Sequence, residues 1–208
     1  MFQVFLLSPA QCNGVRGRLV RTGEFEVARR LRSPEGIPLG ELFSFVSGLY
    51  FRGKLGYARA FARPPAGSPG SLIITPGDGL RPPEDLVSLD RMRGFADVPI
   101  DGAEPRYRDP LLRDARRLAD GLGVGRADAV PCRVVLLGSV ATGKYVDLLS
   151  DVFGSRLCFP SAFVGRGDMS RGGLMLRCVR DGAELEYVAV EGAVRHGPRP
   201  ARLAQPRS

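Results

Sequence analysis

Apolar residues in this chain fall into short unbroken runs, separated by stretches of helical spacing. Phe2–Leu7 (FQVFLL), Ser71–Thr75 (SLIIT), Val134–Leu137 (VVLL) and Arg156–Phe159 (RLCF) are nearly continuous rather than alternating. That pattern predicts strands buried on both faces. Ser8-Pro9, Pro76-Gly77, Gly138-Ser139 and Pro160 end them. Glu24–Arg32 places Phe25, Ala28 and Leu31 at helical spacing, and Ser33-Pro34 stops it. Ile37–Leu49 predicts a second short helix, and Tyr50–Ala62 a third with Leu55, Ala58 and Phe61 on one face. Asp109-Pro110 opens a helix to Gly121, with Pro110 in its first turn and Leu111, Leu112, Ala115 and Leu118 facing inward. Val140–Val152 predicts another helix. Gln11–Thr22 is polar, Arg63–Gly70 is a loop, Leu80–Leu86 starts a helix or an extended turn, Arg91–Tyr107 is irregular, and Gly121–Pro131 is a linker. Leu174–Arg180 and Glu184–Val190 flank Asp181-Gly182, a β-hairpin signal.

Strands alternating with helices predict an α/β fold. We expect one domain over residues 1–194: a mostly parallel sheet flanked by helices, with a C-terminal β-hairpin. From Arg195 the tail, residues 195–208, is basic and proline-rich and is expected to be mobile. At 208 residues the chain is long enough for one substantial core. No segment approaches the length of apolar chain needed to span a bilayer. The opening MFQVFLLSPAQ has no positive n-region and is not read as a signal peptide. Cys12, Cys132, Cys158 and Cys178 include no CxxC pair, which suits buried reduced thiols. A cytoplasmic setting without membrane contact, metal or cofactor is expected.

The net charge is +8, and of 30 basic residues only Lys54 and Lys144 are lysines. Such a balance favours nucleic acid or phosphorylated ligands. Arginine excess also follows from GC-rich codon usage, which fits the abundance of Ala, Gly and Pro. Arg52, Lys54 and Arg59 are interleaved with aromatics, as in a nucleic-acid surface or an ordinary surface helix with an aromatic core stripe.

Arg133–Lys144 (RVVLLGSVATGK) carries the sharpest local signal: a strand, a glycine and then a helix. Such a turn aims free backbone N–H groups at one point, where open α/β sheets bind anions. Gly138 to Lys144 has the GxxxxGK spacing of a P-loop, but Tyr145 replaces the Ser/Thr that would hold Mg²⁺. Arg166 and Arg171 bracket flexible backbone and could clamp a phosphate with two guanidinium forks. His196 is the only histidine and lies in the tail, which argues against a Ser/His/Asp hydrolase. Asp78 sits between glycines after a predicted strand, as a base, a water-positioning group or a turn cap.

Four short islands resemble the YaaA-like peroxide-stress proteins. Leu7-Ser8-Pro9-Ala10 matches the start of that family's Leu-Ser-Pro-Ala-Lys, with Gln11 in place of the lysine. Gly79-Leu80-Arg81-Pro82 keeps a shortened form of its central Gly-Leu-x-Gly-x-Leu-Arg-Pro segment. Gly138-Ser139 and Lys144-Tyr145 fall where the family has Ala-Ser-x-Glu-Tyr, without the glutamate. Arg166-Gly167-Asp168-Met169-Ser170-Arg171 is close to its Arg-Gly-x-Met-Ser-Arg. The resemblance implies an α/β fold, DNA binding and protection from oxidative damage. Its outline is also similar to nucleobase-processing domains of the uracil-glycosylase type.

The first functional expectation is a YaaA-like protein binding DNA or a nucleotide-like small molecule. Ser8, Gly79, Arg81, Gly138, Ser139, Lys144, Tyr145, Arg166 and Arg171 would form the ligand and phosphate site at the carboxyl ends of the strands. The alternative is a nucleobase- or nucleoside-processing enzyme, glycosylase- or transglycosylase-like, with Asp78 as its carboxylate and Tyr50 or Tyr145 stacking on the base. A P-loop-like nucleotide binder ranks third.

Overall fold

The computed structural model describes residues 1–126 and 130–201. The chain opens with β1 (Phe2–Leu7), then α1 (Val15–Thr22) and α2 (Glu26–Arg32). A two-residue strand, β2 (Ile37–Pro38), leads into α3 (Leu39–Ser47) and α4 (Leu49–Phe61). Next come β3 (Ser71–Thr75), β4 (Gly79–Arg81), β5 (Leu86–Val87), α5 (Leu89–Asp97) and α6 (Pro105–Gly121). The described chain closes with β6 (Cys132–Leu137), α7 (Gly143–Phe153), β7 (Leu157–Pro160), α8 (Asp168–Asp181) and β8 (Tyr187–Ala189).

The main sheet has the order β4-β3-β1-β6-β7-β8. The inner strands β3, β1, β6 and β7 run parallel, and β4 and β8 are antiparallel edges. This is the expected α/β class. The continuous apolar runs exist because both faces are covered. Phe5, Leu7, Ile73, Val135 and Leu137 face a core shared with α3, α4 and α8. Val4, Leu6, Ile74, Val134 and Leu136 face a second core built on α6 and α7. From β1 the chain goes first to β3 on one side and later to β6 on the other. The order therefore reverses between β1 and β6, whose last residues Leu7 and Leu137 are in register. A crevice opens at such a point.

The C-terminal antiparallel pair is β7 with β8. Its first arm is not Leu174–Arg180, which lies in α8. Arg171, Gly172, Met175 and Cys178 are buried at helical spacing there. Gly182, at φ 63°, is the left-handed C-cap of α8 rather than a hairpin turn. The Ala183 N–H donates to Cys178 O at 3.0 Å and Gly182 N–H to Val179 O, the paired bonds of a glycine-terminated helix.

Other boundaries also move. Polar Gln11–Thr22 contains α1, and irregular Arg91–Tyr107 holds most of α5, which is capped by Ser88 accepting from Arg91 N–H at 3.3 Å, and the start of α6. Ile37 and Pro38 form β2 before α3 begins, and Leu80 and Arg81 belong to β4. Helix α6 starts at Pro105, so Pro110 is inside it, and α7 starts at Gly143. In the tail, the Pro198 carbonyl lies so close to Gly165 that a Cβ at 165 would meet it at 2.1 Å. Residues 127–129 of the expected linker and 202–208 of the tail lie outside the described residues.

Helices α4 and α8 cross with their backbones in contact. A Cβ on Gly53 would lie 2.7 Å from Gly172 O, and one on Gly172 2.8 Å from Tyr50 Cα. This crossing brings Tyr50 and Lys54 of α4, and Asp168 and Arg171 of α8, to the carboxyl end of β1.

Candidate functional site: the crevice between β1 and β6

A cleft of about 410 Å³ opens at the sheet's reversal point, lined by Ser8, Tyr50, Ser139, Thr142, Lys144, Tyr145 and Asp168 among others. Ser8 follows β1 directly, and its N–H donates to Leu137 O at 3.1 Å, which ties the ends of β1 and β6 together. Gly138 follows β6. A Cβ there would meet Ser8 Cβ at 2.7 Å and the Tyr145 hydroxyl at 2.9 Å, so a glycine is what lets Ser8 and Tyr145 approach. The Ser139 N–H donates to Tyr145 Oη at 2.9 Å.

Lys54 lies behind Ser8 and is 1% exposed. Its Nζ donates to Ser8 O at 2.6 Å and to Ser8 Oγ at 2.9 Å. The rings of Tyr50 and Phe51 lie 4.5 and 4.6 Å from Nζ. Burial pulls the amine down to about 7; Asp168 opposes that fall and Arg171 adds to it. Burial raises the Tyr50 and Tyr145 phenols, so both stay protonated donors at neutral pH. The Tyr50 hydroxyl is buried without a hydrogen-bond partner.

At the cleft mouth, α7 begins at Gly143. Thr142 is its N-cap residue but makes no side-chain capping bond, and the first turn holds no acidic residue. Lys144 sits in that turn, exposed at the cleft wall.

Of the residues expected at the site, Ser8, Gly138, Ser139, Lys144 and Tyr145 do meet here. Arg171 is close by but is held by Phe163 O, which accepts from its Nε at 3.2 Å and its Nη2 at 3.1 Å. Its Nη1 is 3.4 Å from Asp168. Arg166 donates to Ala162 O at 2.9 Å and to Ser170 Oγ at 3.3 Å. The two guanidinium groups fasten the turn before α8 and do not form a phosphate clamp across the cleft.

Asp78, Gly79 and Arg81 stand apart, at β4, two strands from β1. Asp78 pairs with Arg91 at 2.5 Å, and Arg91 also holds Asp85 at 2.9 Å. The Asp78 N–H donates to Thr75 Oγ1 at 2.9 Å, so this carboxylate belongs to a turn and an ion-pair cluster. Gly79 has φ 74° and abuts Pro110 O and Asp114 of α6. The glycosylase-like assignment of Asp78 therefore has no place at the cleft; the carboxylate there is Asp168.

The P-loop geometry also differs. A phosphate-cradling loop leaves its N–H groups free, whereas that of Ser139 is taken by Tyr145.

Lys54, expected with Arg52 and Arg59 on a basic, aromatic-interleaved surface helix, is instead buried behind the cleft, and Asp168 and Thr142 are cleft residues that the sequence did not single out. Lys54 was legible as one of two lysines in an arginine-rich chain, placed on the inward stripe of α4 with Tyr50, Phe51 and Tyr57. Both lysines end at this one cleft. Asp168 lies inside the Arg166–Arg171 island, between the two arginines of the expected clamp. Among the described residues no helix is long and apolar enough to cross a membrane. No family model, curated protein or solved structure matches this chain.

Proposed function

We propose that the β1/β6 cleft binds a nucleotide-like small molecule, with its phosphate at the first turn of α7. The observation that carries this is an electrostatic mismatch. A lysine in the first turn of a helix opposes the helix dipole, and here the end also lacks a side-chain cap and an acidic residue in that turn, with Asp147 of the next turn lying against Gly143. A bound anion resolves both: backbone N–H groups, the Thr142 hydroxyl and Lys144 would all face it. The orphaned Tyr50 hydroxyl offers a polar contact for the rest of the ligand. The volume of about 410 Å³ suits a mononucleotide. A DNA strand would reach this cleft with a chain end or an extruded nucleotide.

The reading keeps the chain YaaA-like. Three of the four islands of resemblance meet at the cleft: Ser8 from the first, Ser139, Lys144 and Tyr145 from the third, and Asp168 from the fourth. Protection from peroxide, which the resemblance implies, would act through the ligand rather than through a thiol. Burial raises all four cysteines, Cys12 to about 12, so none is an activated thiolate. Free thiols suit a reducing, cytoplasmic setting.

The test is thermal stabilisation by AMP, GMP, guanosine and inorganic phosphate. Stabilisation by the monophosphates above that by guanosine or phosphate is expected, and its loss in Lys144→Ala and Thr142→Val. A response to none of the four, or one unchanged in Lys144→Ala, overturns the reading.

A further inference from the structure

We propose that Ser8 and Lys54 form a nucleophile and general-base pair, so that the cleft carries out acyl transfer on a ligand with an ester, thioester or amide carbonyl. This rests on the reading of the β1/β6 cleft as the ligand site.

The placement comes first. Ser8 lines the cleft, and Lys54 lies behind it with Nζ 2.9 Å from Oγ and no route to water of its own. Nζ donates to Ser8 O at 2.6 Å and to Ser8 Oγ at 2.9 Å; loss of one proton would keep the first bond and turn the second round, the lone pair then accepting from the Ser8 O–H. The choice of residue is the second observation. This chain has only two lysines among 30 basic residues. A strut from α4 to the end of β1 needs only a donor, which arginine supplies at many other positions in this fold. An amine that gives up its proton is something arginine cannot supply.

The groups facing Lys54 set the balance between its two forms. On α8, Asp168 favours the ammonium and Arg171 disfavours it. On its own helix, the Tyr50 and Phe51 rings favour the cation. Ser8 accepts from it, and Tyr145 on α7 is a protonated phenol beside Ser8. Complete burial outweighs the contacts that favour the cation and leaves an amine that is partly neutral near pH 7.

Tyr145 completes the arrangement. Its oxygen accepts from Ser139 N–H, which leaves its own O–H free to donate. Its Oη lies beside Ser8 and Gly138, so that it could donate to a carbonyl oxygen that gains charge as Oγ attacks.

The first step forms a Ser8 Oγ–C bond. The Ser8 proton passes to Lys54 Nζ, and the carbonyl π pair moves onto oxygen, held by Tyr145. The pair returns as the bond from carbon to the leaving group breaks, and Lys54 returns the proton to that group. In the second step water or an acceptor hydroxyl attacks the Ser8 ester, Lys54 takes its proton, and the C–Oγ bond breaks with the proton restored to Ser8.

The test is labelling of the intact chain with a biotinylated fluorophosphonate, a reagent that exchanges its P–F bond for an Oγ–P bond at activated serines. One adduct on the peptide containing Ser8 is expected, with a rate that rises through about pH 7 and no adduct at that peptide in Ser8→Ala. Lys54→Met is expected to label about 10²-fold more slowly or worse, and Tyr145→Phe more slowly than wild type. If Lys54→Met fails to give the wild-type circular dichroism spectrum, the wild-type pH profile decides. A rate that does not rise between pH 5.5 and 8.5 overturns the proposal, as does labelling only at other serines. Labelling requires no nucleotide, so the two readings separate. A chain that GMP stabilises but the probe does not label loses the serine–lysine pair and keeps its ligand. A chain that is labelled but ignores nucleotides keeps the pair and loses the nucleotide.

Discussion

Folding strips the Lys54 ammonium of water, and that has a signed consequence for stability. Its folded pKa is about 7 against an ordinary 10.5. Between those values the unfolded chain holds a proton that the folded chain has released, so stability rises with pH from about 7 to 10.5. Below pH 7 both states are charged, and the full penalty for burying the ammonium remains. The thermal midpoint of Lys54→Met relative to wild type should therefore be most favourable near pH 6 and fall back towards pH 10. Parallel midpoint curves would remove the depressed amine from the account. Gly138→Ala tests the other close contact. Its new Cβ would lie 2.7 Å from Ser8 Cβ, so a loss of about 1–3 kcal/mol in urea unfolding is expected, together with loss of Ser8 labelling. Five cleft residues, Ser8, Gly138, Ser139, Lys144 and Tyr145, were legible because a strand end followed by small polar residues marks a crevice. Lys54 stands out by type, as one of two lysines, but its role does not, because that depends on which face of α4 meets β1. Asp78 and Arg81 carried the same strand-end signal at an edge strand, where Arg91 and Asp114 surround the turn.

At the scale of elements, the crossing of α4 and α8 decides whether Lys54 and Asp168 reach the cleft at all. Gly172→Ala would place a Cβ 2.8 Å from both Leu49 O and Tyr50 Cα, which are backbone atoms that cannot step aside. We expect about 2 kcal/mol of destabilisation by urea titration and slower Ser8 labelling as α4 shifts. Gly182→Ala, at the left-handed cap of the same helix, should lose about 1 kcal/mol with labelling unchanged. Equal effects on labelling would mean that the crossing does not position the site. The same glycine shows why this part of the chain was misread. Asp181-Gly182 satisfies a hairpin turn and a helix C-cap equally well by sequence, and the choice fell to the spacing of Arg171, Met175 and Cys178, where a buried arginine hides the helical stripe. Short α1 and α5 were obscured in a related way, since each buries only two residues, Gly17 and Val20 in one and Met92 and Phe95 in the other. The inner strands were readable because covering both faces demands continuous apolar runs.

For the molecule as a whole, the fold class followed from alternating strands and helices, while the position of β6 on the far side of β1 is a long-range choice that no local pattern encodes. The +8 charge is likewise a property of the whole chain. It is the excess of 30 basic over 22 acidic residues, and many of the basic ones are paired locally: Arg29, Arg30 and Arg32 of α2 pair with Glu26, Glu41 and Glu24, and Arg91 holds two aspartates. Arginines so paired contribute little to a field that attracts a polyanion. Binding to duplex DNA should then be weak and dominated by released counterions, falling about tenfold or more between 50 and 200 mM salt. A mononucleotide held by one lysine and a helix end releases far fewer ions, so its affinity should change only a few-fold over the same range. Fluorescence anisotropy with a labelled duplex and calorimetry with GMP measure both slopes on one preparation. Lys144→Ala should abolish the GMP heat and leave the DNA slope nearly unchanged. A DNA slope that collapses in Lys144→Ala, or in the pair Arg166→Ala and Arg171→Ala, would instead put the phosphate backbone of DNA at this cleft and make the nucleotide one unit of a longer strand.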